Sequence, residues 1–314
     1  MTLTTQARIL ALGEYRPERL VTNAELPSTL DTNDEWIRER TGIQARRIAG
    51  ADETVVSMAA AAAGKALATA GIDPVDVGLV VLATCSMPTQ IPGGAAQVAQ
   101  LLGTTAAGAF DVNAACAGFC YGLSVAAGAI QTGSAQHVVV IGAEKLSDWV
   151  DWNDRRTAII FADGAGAAVV GPAAKSGIGP VEWGSDGKLS HVIAVPPGGK
   201  LLMDGPAVFR WTTTTLAAVA RRACSKAGIT PDELAAVVPH QANLRIISAL
   251  ARQIGATNAV IADDIVEAGN TSSASIPLAL SRLLADGRVR SGDRVLTLGF
   301  GAGLTWAGHV IEVP

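Results

Sequence analysis

Ala70-Gly71-Ile72-Asp73-Pro74, with the apolar run Leu79-Val80-Val81-Leu82 behind it, returns later in the chain as Ala227-Gly228-Ile229-Thr230-Pro231 followed by Ala235-Ala236-Val237-Val238. From Ile72 to Ile229 is 157 positions. Val138-Val139-Val140-Ile141-Gly142 is answered at the same spacing by Val295-Leu296-Thr297-Leu298-Gly299, and Asn113 by Asn270. Because 157 is half of 314, the two halves read as copies of one βαβα-type unit, expected to keep this register throughout. Each half runs through an amphipathic helix such as Ser57 to Ala70, the Ala-Gly-Ile-x-Pro turn, a buried strand, a loop and a second strand. The strands are apolar without alternation, which implies sheets covered by helices on both faces and hence a layered α/β protein. The expected units are residues 1–171 and 172–314, with function drawn from strand ends of both halves.

Composition bounds the rest. With 49% hydrophobic and 17% charged residues the chain has a real core, and 34 glycines favour tight turns and close packing. The net charge of −4, without a basic run, does not point to nucleic acid. Met1 to Leu10 lacks the basic-then-apolar layout of an export signal, so a cytoplasmic location is expected. The charge-free stretches Val77 to Phe110 and Val112 to Ala143 are interrupted by Pro88, Pro92, Gly93-Gly94 and Gln97, and by Asn113, Gly118, Gly128 and Gly133. They are expected to be buried strands and helices rather than membrane spans. Cys85, Cys116, Cys120 and Cys224 form no C-x-x-C pair, so neither a zinc ribbon nor a disulfide framework is indicated.

The chemistry concentrates in three loops. In Phe110-Asp111-Val112-Asn113-Ala114-Ala115-Cys116-Ala117-Gly118-Phe119 a short strand ends in a small-residue turn before a helix running toward Ile130. A cysteine at that helix start would have its thiolate favoured by the dipole and unpaired amides. Equally, a buried cysteine can be a small hydrophobe, the reading given to Cys85, Cys120 and Cys224. His240 emerges from the strand end Val237-Val238-Pro239, a position that His137, His191 and His309 lack. Asn270, before Thr271-Ser272-Ser273, could simply cap the next helix. The duplication nevertheless sets Cys116, His240 and Asn270 on equivalent or adjacent strand ends around one pseudo-axis.

Six segments in order resemble β-ketoacyl-acyl-carrier-protein synthase III of the thiolase superfamily, along essentially the whole chain. They are Asn33-Asp34-Glu35-Trp36-Ile37 with Arg40-Thr41-Gly42-Ile43, the Cys116 turn, Phe161-Ala162-Asp163-Gly164-Ala165-Gly166-Ala167, Pro239-His240-Gln241-Ala242-Asn243, Gly269-Asn270-Thr271-Ser272, and Gly299-Phe300-Gly301-Ala302-Gly303-Leu304-Thr305-Trp306. The resemblance implies a thiolase-type α-β-α-β-α fold, a homodimer, a Cys116-His240-Asn270 site, and no metal or redox cofactor. It implies that Cys116 takes an acyl group from acyl-CoA, with the Cys116 and Ala302 amides as oxyanion donors. Malonyl-acyl carrier protein would then lose carbon dioxide, and His240 and Asn270 would hold the enolate oxygen. It also implies Trp36, Arg40 and Arg155 for the CoA adenine and phosphates, Phe209, Ala242 and Asn243 for pantetheine, and Arg210, Arg245 and Arg252 for the acidic carrier protein.

Departures from the family pattern bear on specificity. A gating position contributed across the dimer, often Phe, is Ile91, which leaves room for a primer larger than acetyl, branched or medium-chain, in a pocket shared with Leu146 and Phe161. The stretch from Pro172 to Asp204 is expected to be short, with Val195 to Lys200 as a compact loop. Ala162 and Pro206 replace residues usual near the cofactor and put CoA affinity in question. Two other functions remain open: an acyltransferase or thioesterase using the same acyl-cysteine, and a non-catalytic carrier-protein-binding subunit. The presence of Cys116, His240 and Asn270 together argues against the second.

Overall fold

The computed structural model describes residues 5–104 and 106–314; residues 1–4, part of the stretch read for an export signal, lie outside the described residues, as does Thr105. Two five-stranded sheets organise the chain. The first has the order Gln6–Tyr15, Asp163–Ala173, His137–Lys145, Val77–Ala83, Gly108–Val112, and the second the order Glu182–Ser185, Thr305–Glu312, Arg294–Gly301, Ala236–Pro239, Val260–Ile261. The sense of pairing repeats too: in each sheet the last three strands are parallel and the first two run antiparallel to their neighbours.

Side-chain alternation explains the layering. Val81 faces the middle of the molecule and packs with Phe119, Leu123, Ile276 and Leu280, whereas Val80 and Leu82 face outward against Met58, Ala62 and Val98. A strand apolar on both faces must be covered twice. Helices Gly118–Gln131 and Ser275–Ala285 lie between the sheets, Val55–Ala70 and Gly94–Leu102 cover the first sheet, and Gly205–Lys226 and Leu244–Ile254 cover the second. The result is the duplicated five-layer α-β-α-β-α arrangement. The charge-free stretches supply these strands and helices, and no helix among the described residues is long and apolar enough to cross a membrane.

The 157-residue repeat holds down to the backbone. Val80 pairs with Val139, and Val237 with Leu296. Gly71 and Gly228 both take left-handed φ, at 66° and 71°, and each is followed by a 3-10 turn opening on Pro74 or Pro231. The expectation of constant register is corrected elsewhere. Leu79 faces Gly108, whereas its copy Ala236 faces Val260, five residues before the repeat would place it. The chain regains register through the short helix Ile265–Ala268. Connections can lengthen without disturbing the paired strands, so the spacing is kept where side chains interlock. Gly142 is one such place: a Cβ there would lie 2.3 Å from the Ser273 carbonyl oxygen of the opposite half.

Candidate active site

Where strand ends of the two sheets meet, a cavity of about 1200 Å³ opens, and Cys116, His240 and Asn270 all line it. The two halves deliver their loops identically. Asn113 Oδ1 accepts from the Ala115 amide at 3.3 Å, and Asn270 Oδ1 accepts from the Ser272 amide at 2.9 Å. Ala115 and Ser272 are the only non-glycine residues with left-handed φ among the described residues, at 45° and 49°. Such a backbone conformation is uncommon outside glycine, and its repetition places a chosen side chain before each central helix. In the first half that residue is Cys116; in the second, Ser273 turns instead to the Glu144 carboxylate at 2.7 Å.

Glu144, behind the cavity wall, is a supporting residue that sequence reading missed. Fully buried, it accepts from the Thr84, Ser86 and Ser273 hydroxyls and from the Cys85 amide, tying the first sheet to the Asn270 loop. Cys85 was expected to be core and is not. It lines the cavity, with its Sγ 3.4 Å from Glu144 Oε1 and 3.7 Å from Ser272 Oγ. Burial, then the Glu144 charge, raises this thiol well above its ordinary range. Cys120 and Cys224 are core residues.

The expected thiolate at Cys116 is also corrected. Cys116 stands in the 3-10 turn Ala115–Ala117, just before helix Gly118–Gln131, and burial pushes its thiol up to about 12, against the opposing pull of a hydrogen bond with Ser272. The resting group is a thiol. Amides at the helix start can then act on charge that develops only during reaction. The Ala302 amide, also at the cavity, has no hydrogen-bond partner among the described residues. Strand Arg294–Gly301 presses against the cysteine so closely that a Cβ on Gly301 would lie 2.9 Å from Cys116 Cβ and Sγ. Gly301→Ala is therefore expected to displace the thiol and slow acylation about 100-fold, read as the rate of mass gain with an acyl-CoA, while circular dichroism stays unchanged.

His240 is 2% exposed; its amide donates to Leu298 O at 2.8 Å, and its Nδ1 lies 2.7 Å from Ser275 Oγ. Burial holds its pKa down at about 3, so the ring is neutral across the physiological range. The folded value lies below the unfolded one near 6.5, so between them the unfolded chain binds the extra proton. Stability accordingly rises with pH through that window and is lost on acidification. Burial lowers His309 in the same direction. Urea melts from about pH 6 to about pH 4 should show stability falling by on the order of 1 kcal/mol per pH unit from His240, a slope that His240→Gln should remove, with His309 acting in the same direction.

Around the mouth, the Trp36 indole carries Arg40 and Arg155 guanidinium groups at 5.1 and 5.0 Å from its ring centre. Asn33 caps the helix Asp34–Thr41 that presents Trp36 and Arg40. Phe209, Ala242, Asn243, Arg210 and Arg245 line the same cavity, and the Arg245 guanidinium stacks on Phe209 at 5.7 Å. Leu146 and Phe161 form apolar wall, joined by Trp149, whose Nε1 donates to Ser86 O at 3.2 Å. Two expected residues lie elsewhere. Ile91 is 90% exposed on a loop outside this chain's cavity, and Arg252 is exposed in the last turn of helix Leu244–Ile254. The compact loop after Ala194 joins two short strands, Ile193–Ala194 and Leu202–Met203, and borders the cavity through Val195 and Leu201. Pro206 sits in the first turn of helix Gly205–Lys226, where its missing N–H costs nothing.

Family models match two parts of the chain: 3-oxoacyl-[acyl-carrier-protein] synthase III over residues 110–187, and the C-terminal part of the same synthase over residues 224–313. The chain is 50% identical to β-ketoacyl-[acyl-carrier-protein] synthase III 4 of Streptomyces coelicolor, over 98% of this chain and 99% of the relative. It is 45% identical to the mycobacterial synthase III of Mycobacterium avium, over 99% and 96%. Among solved structures it resembles the priming β-ketosynthase of the R1128 polyketide pathway, with TM-score 0.96 and 44% identity over 98% of this chain and 96% of that one. The synthase III of Aquifex aeolicus superposes with TM-score 0.94 at 40% identity, over 98% and 99%.

Proposed function

The chain belongs to the 3-oxoacyl-[acyl-carrier-protein] synthase III family of condensing acyltransferases, and from that premise we propose how its own residues run the reaction and what primer they select. The Cys116 sulfur attacks the carbonyl carbon of an acyl-CoA, the carbon–sulfur bond to CoA breaks, and the CoA sulfur leaves with the cysteine's proton. Negative charge on the carbonyl oxygen is met by the Cys116 and Ala302 amides. Malonyl-acyl carrier protein then loses carbon dioxide, and the electron pair of the broken bond passes to the thioester oxygen as an enolate. His240 and Asn270 donate to that oxygen. The enolate carbon attacks the acyl-cysteine, and the Cys116 sulfur departs and regains a proton. The single observation that carries this reading is the convergence of Cys116, neutral His240 and Asn270 on one cavity from both halves of the duplication.

Asn270 supports carbon–carbon bond formation specifically. Its Oδ1 is occupied by the Ser272 amide, so its Nδ2 is free to donate, and an amide cannot act as a base. Stacked Trp36, Arg40 and Arg155 suit the adenine end of CoA, and Phe209, Ala242 and Asn243 its pantetheine arm. Arg210 and Arg245 at the mouth, with Arg252 beyond it, suit an acidic carrier protein.

A homodimer fits the exposed edge of the first sheet. Strand Gly108–Val112 has no strand neighbour on its outer side among the described residues, and Phe110, Leu101 and Ile91 are exposed. Ile91 would then serve the partner's acyl pocket rather than its own. A residue smaller than Phe at that gate, Ile91, favours a branched or medium-chain primer, and thereby selection of a polyketide or fatty-acid starter unit.

Intact-protein mass spectrometry with acyl-CoAs from acetyl to octanoyl, isobutyryl included, followed by malonyl-carrier protein, tests the whole reading. A longer or branched adduct that is discharged as a 3-ketoacyl product upholds it. An adduct that malonyl-carrier protein leaves in place makes the chain an acyltransferase with another acceptor, and no adduct at all overturns both.

A further inference from the structure

We infer that Ser275 selects the tautomer of His240, keeping the ring hydrogen on Nε2, where it is a standing donor to the cavity. The consequence rests on the reading of His240 as the enolate's partner; the inference itself rests on counting protons.

Ser275 Oγ has two partners among the described residues, His240 Nδ1 at 2.7 Å and the Gln241 backbone nitrogen at 3.3 Å. A backbone N–H only donates, so Oγ accepts from Gln241. The hydroxyl has one proton of its own, and among the described residues Nδ1 is the only acceptor within its reach. The short bond therefore runs from the Ser275 hydroxyl to an unprotonated Nδ1. In the opposite tautomer Oγ would accept both bonds, and its own hydrogen would be enclosed without an acceptor, on a residue 1% exposed. Nε2 has no partner among the described residues, and the Phe300 ring meets the imidazole edge-on at 5.2 Å, which fixes the ring plane.

The duplication shows where this hydroxyl comes from. Ser275 opens the central helix Ser275–Ala285 as Gly118 opens Gly118–Gln131. At Gly118 a Cβ would crowd Ala83 at 2.9 Å, leaving that helix start bare beside the nucleophile. The copy carries a side chain instead and spends it on the histidine. A division of labour follows. With Nε2 protonated, His240 offers no lone pair to the cavity, so it donates to the enolate and is not the group that removes the Cys116 proton. Ser275 is thus a positioning residue for one half-reaction only.

Selective 15N labelling of the histidines in the full chain reads protonation at each ring nitrogen, with His240→Gln assigning the signal. The expected result is an unprotonated Nδ1 and a protonated Nε2 at neutral pH. Ser275→Ala is expected to admit the other tautomer and to lower malonyl-carrier decarboxylation about tenfold while acyl-Cys116 formation is unchanged, and Ser275→Thr should restore both signal and rate. A protonated Nδ1 in the unaltered protein overturns the inference, as does a Ser275→Ala ring that stays wholly in the Nε2–H form or equal losses in the two half-reactions. Should Ser275→Ala not fold, the spectrum of the unaltered protein alone decides. Failure of the functional reading would look different: no acyl adduct, with the tautomer intact.

Discussion

Cys116→Ala is expected to take up no acyl group from any acyl-CoA, and yet to go on decarboxylating malonyl-carrier protein. The first half follows from the surroundings of the other thiols. Cys120 and Cys224 are enclosed in the core, and burial pushes them up to about 12 and about 11. Cys85 does face the cavity, but its sulfur lies 3.4 Å from the buried Glu144 carboxylate, whose charge opposes ionisation. No second nucleophile stands ready, although Cys116 itself rests as a thiol. What distinguishes Cys116 is its place at the start of a central helix, beside the unpaired Ala302 amide, where charge arising on the substrate is met as it forms. The second half follows because His240 and Asn270 are held by Ser275 and Ser272 and not by the cysteine. Intact mass reads the first and release of carbon dioxide the second. Residual adduct would have to sit on Cys85, and a Cys85→Ser, Cys116→Ala pair would remove it.

Much of this was legible in the chain itself, and the reason is locality. The Cys116 turn, the His240 strand end and the Asn270 loop each lie within about ten consecutive residues, so their residue types record their geometry directly. The duplication then supplied the long-range step, since identical spacing at Gly71 and Gly228, and at Asn113 and Asn270, implies identical placement. Where partners are far apart in sequence the signal vanishes. Glu144 gathers Thr84, Cys85, Ser86 and Ser273 from segments up to 129 positions away, and beside Lys145 at the end of a mostly apolar strand it gives no hint of that role. Arg46 is similar: fully buried, it donates to Val21 O, Asn23 Oδ1 and Ile159 O, and with no carboxylate partner among the described residues its pKa is lowered to about 10 by burial. A sequence shows which side chains are polar, but not that a sheet edge or a strand crossing will enclose them. The thiol state of Cys116 belongs with these, because a helix start near a cysteine is local while the burial that opposes it is not.

Asn270→Asp is expected to lower condensation by about 100-fold to 1000-fold, the largest loss from a change of so few atoms. The backbone of residue 270 is held on both sides, its amide donating to Ile160 O and its carbonyl accepting from Ala162, each at 2.9 Å, so the new side chain occupies the same place. One carboxylate oxygen can still accept from the Ser272 amide, as Oδ1 does now. The other replaces the Nδ2 donor with an acceptor that carries negative charge, facing the oxygen on which the enolate's charge must build. The loss therefore combines a missing hydrogen bond with repulsion in a buried site, where neither is screened by water. Acylation of Cys116 precedes that charge and needs no donor from residue 270, so adduct should still form and accumulate. The signature is a stable acyl-Cys116 mass in the presence of malonyl-carrier protein, with carbon dioxide release reduced in the same proportion as product. Equal damage to acylation would mean that Asn270 serves the thiol as well as the enolate, and would move it from the second half-reaction to both.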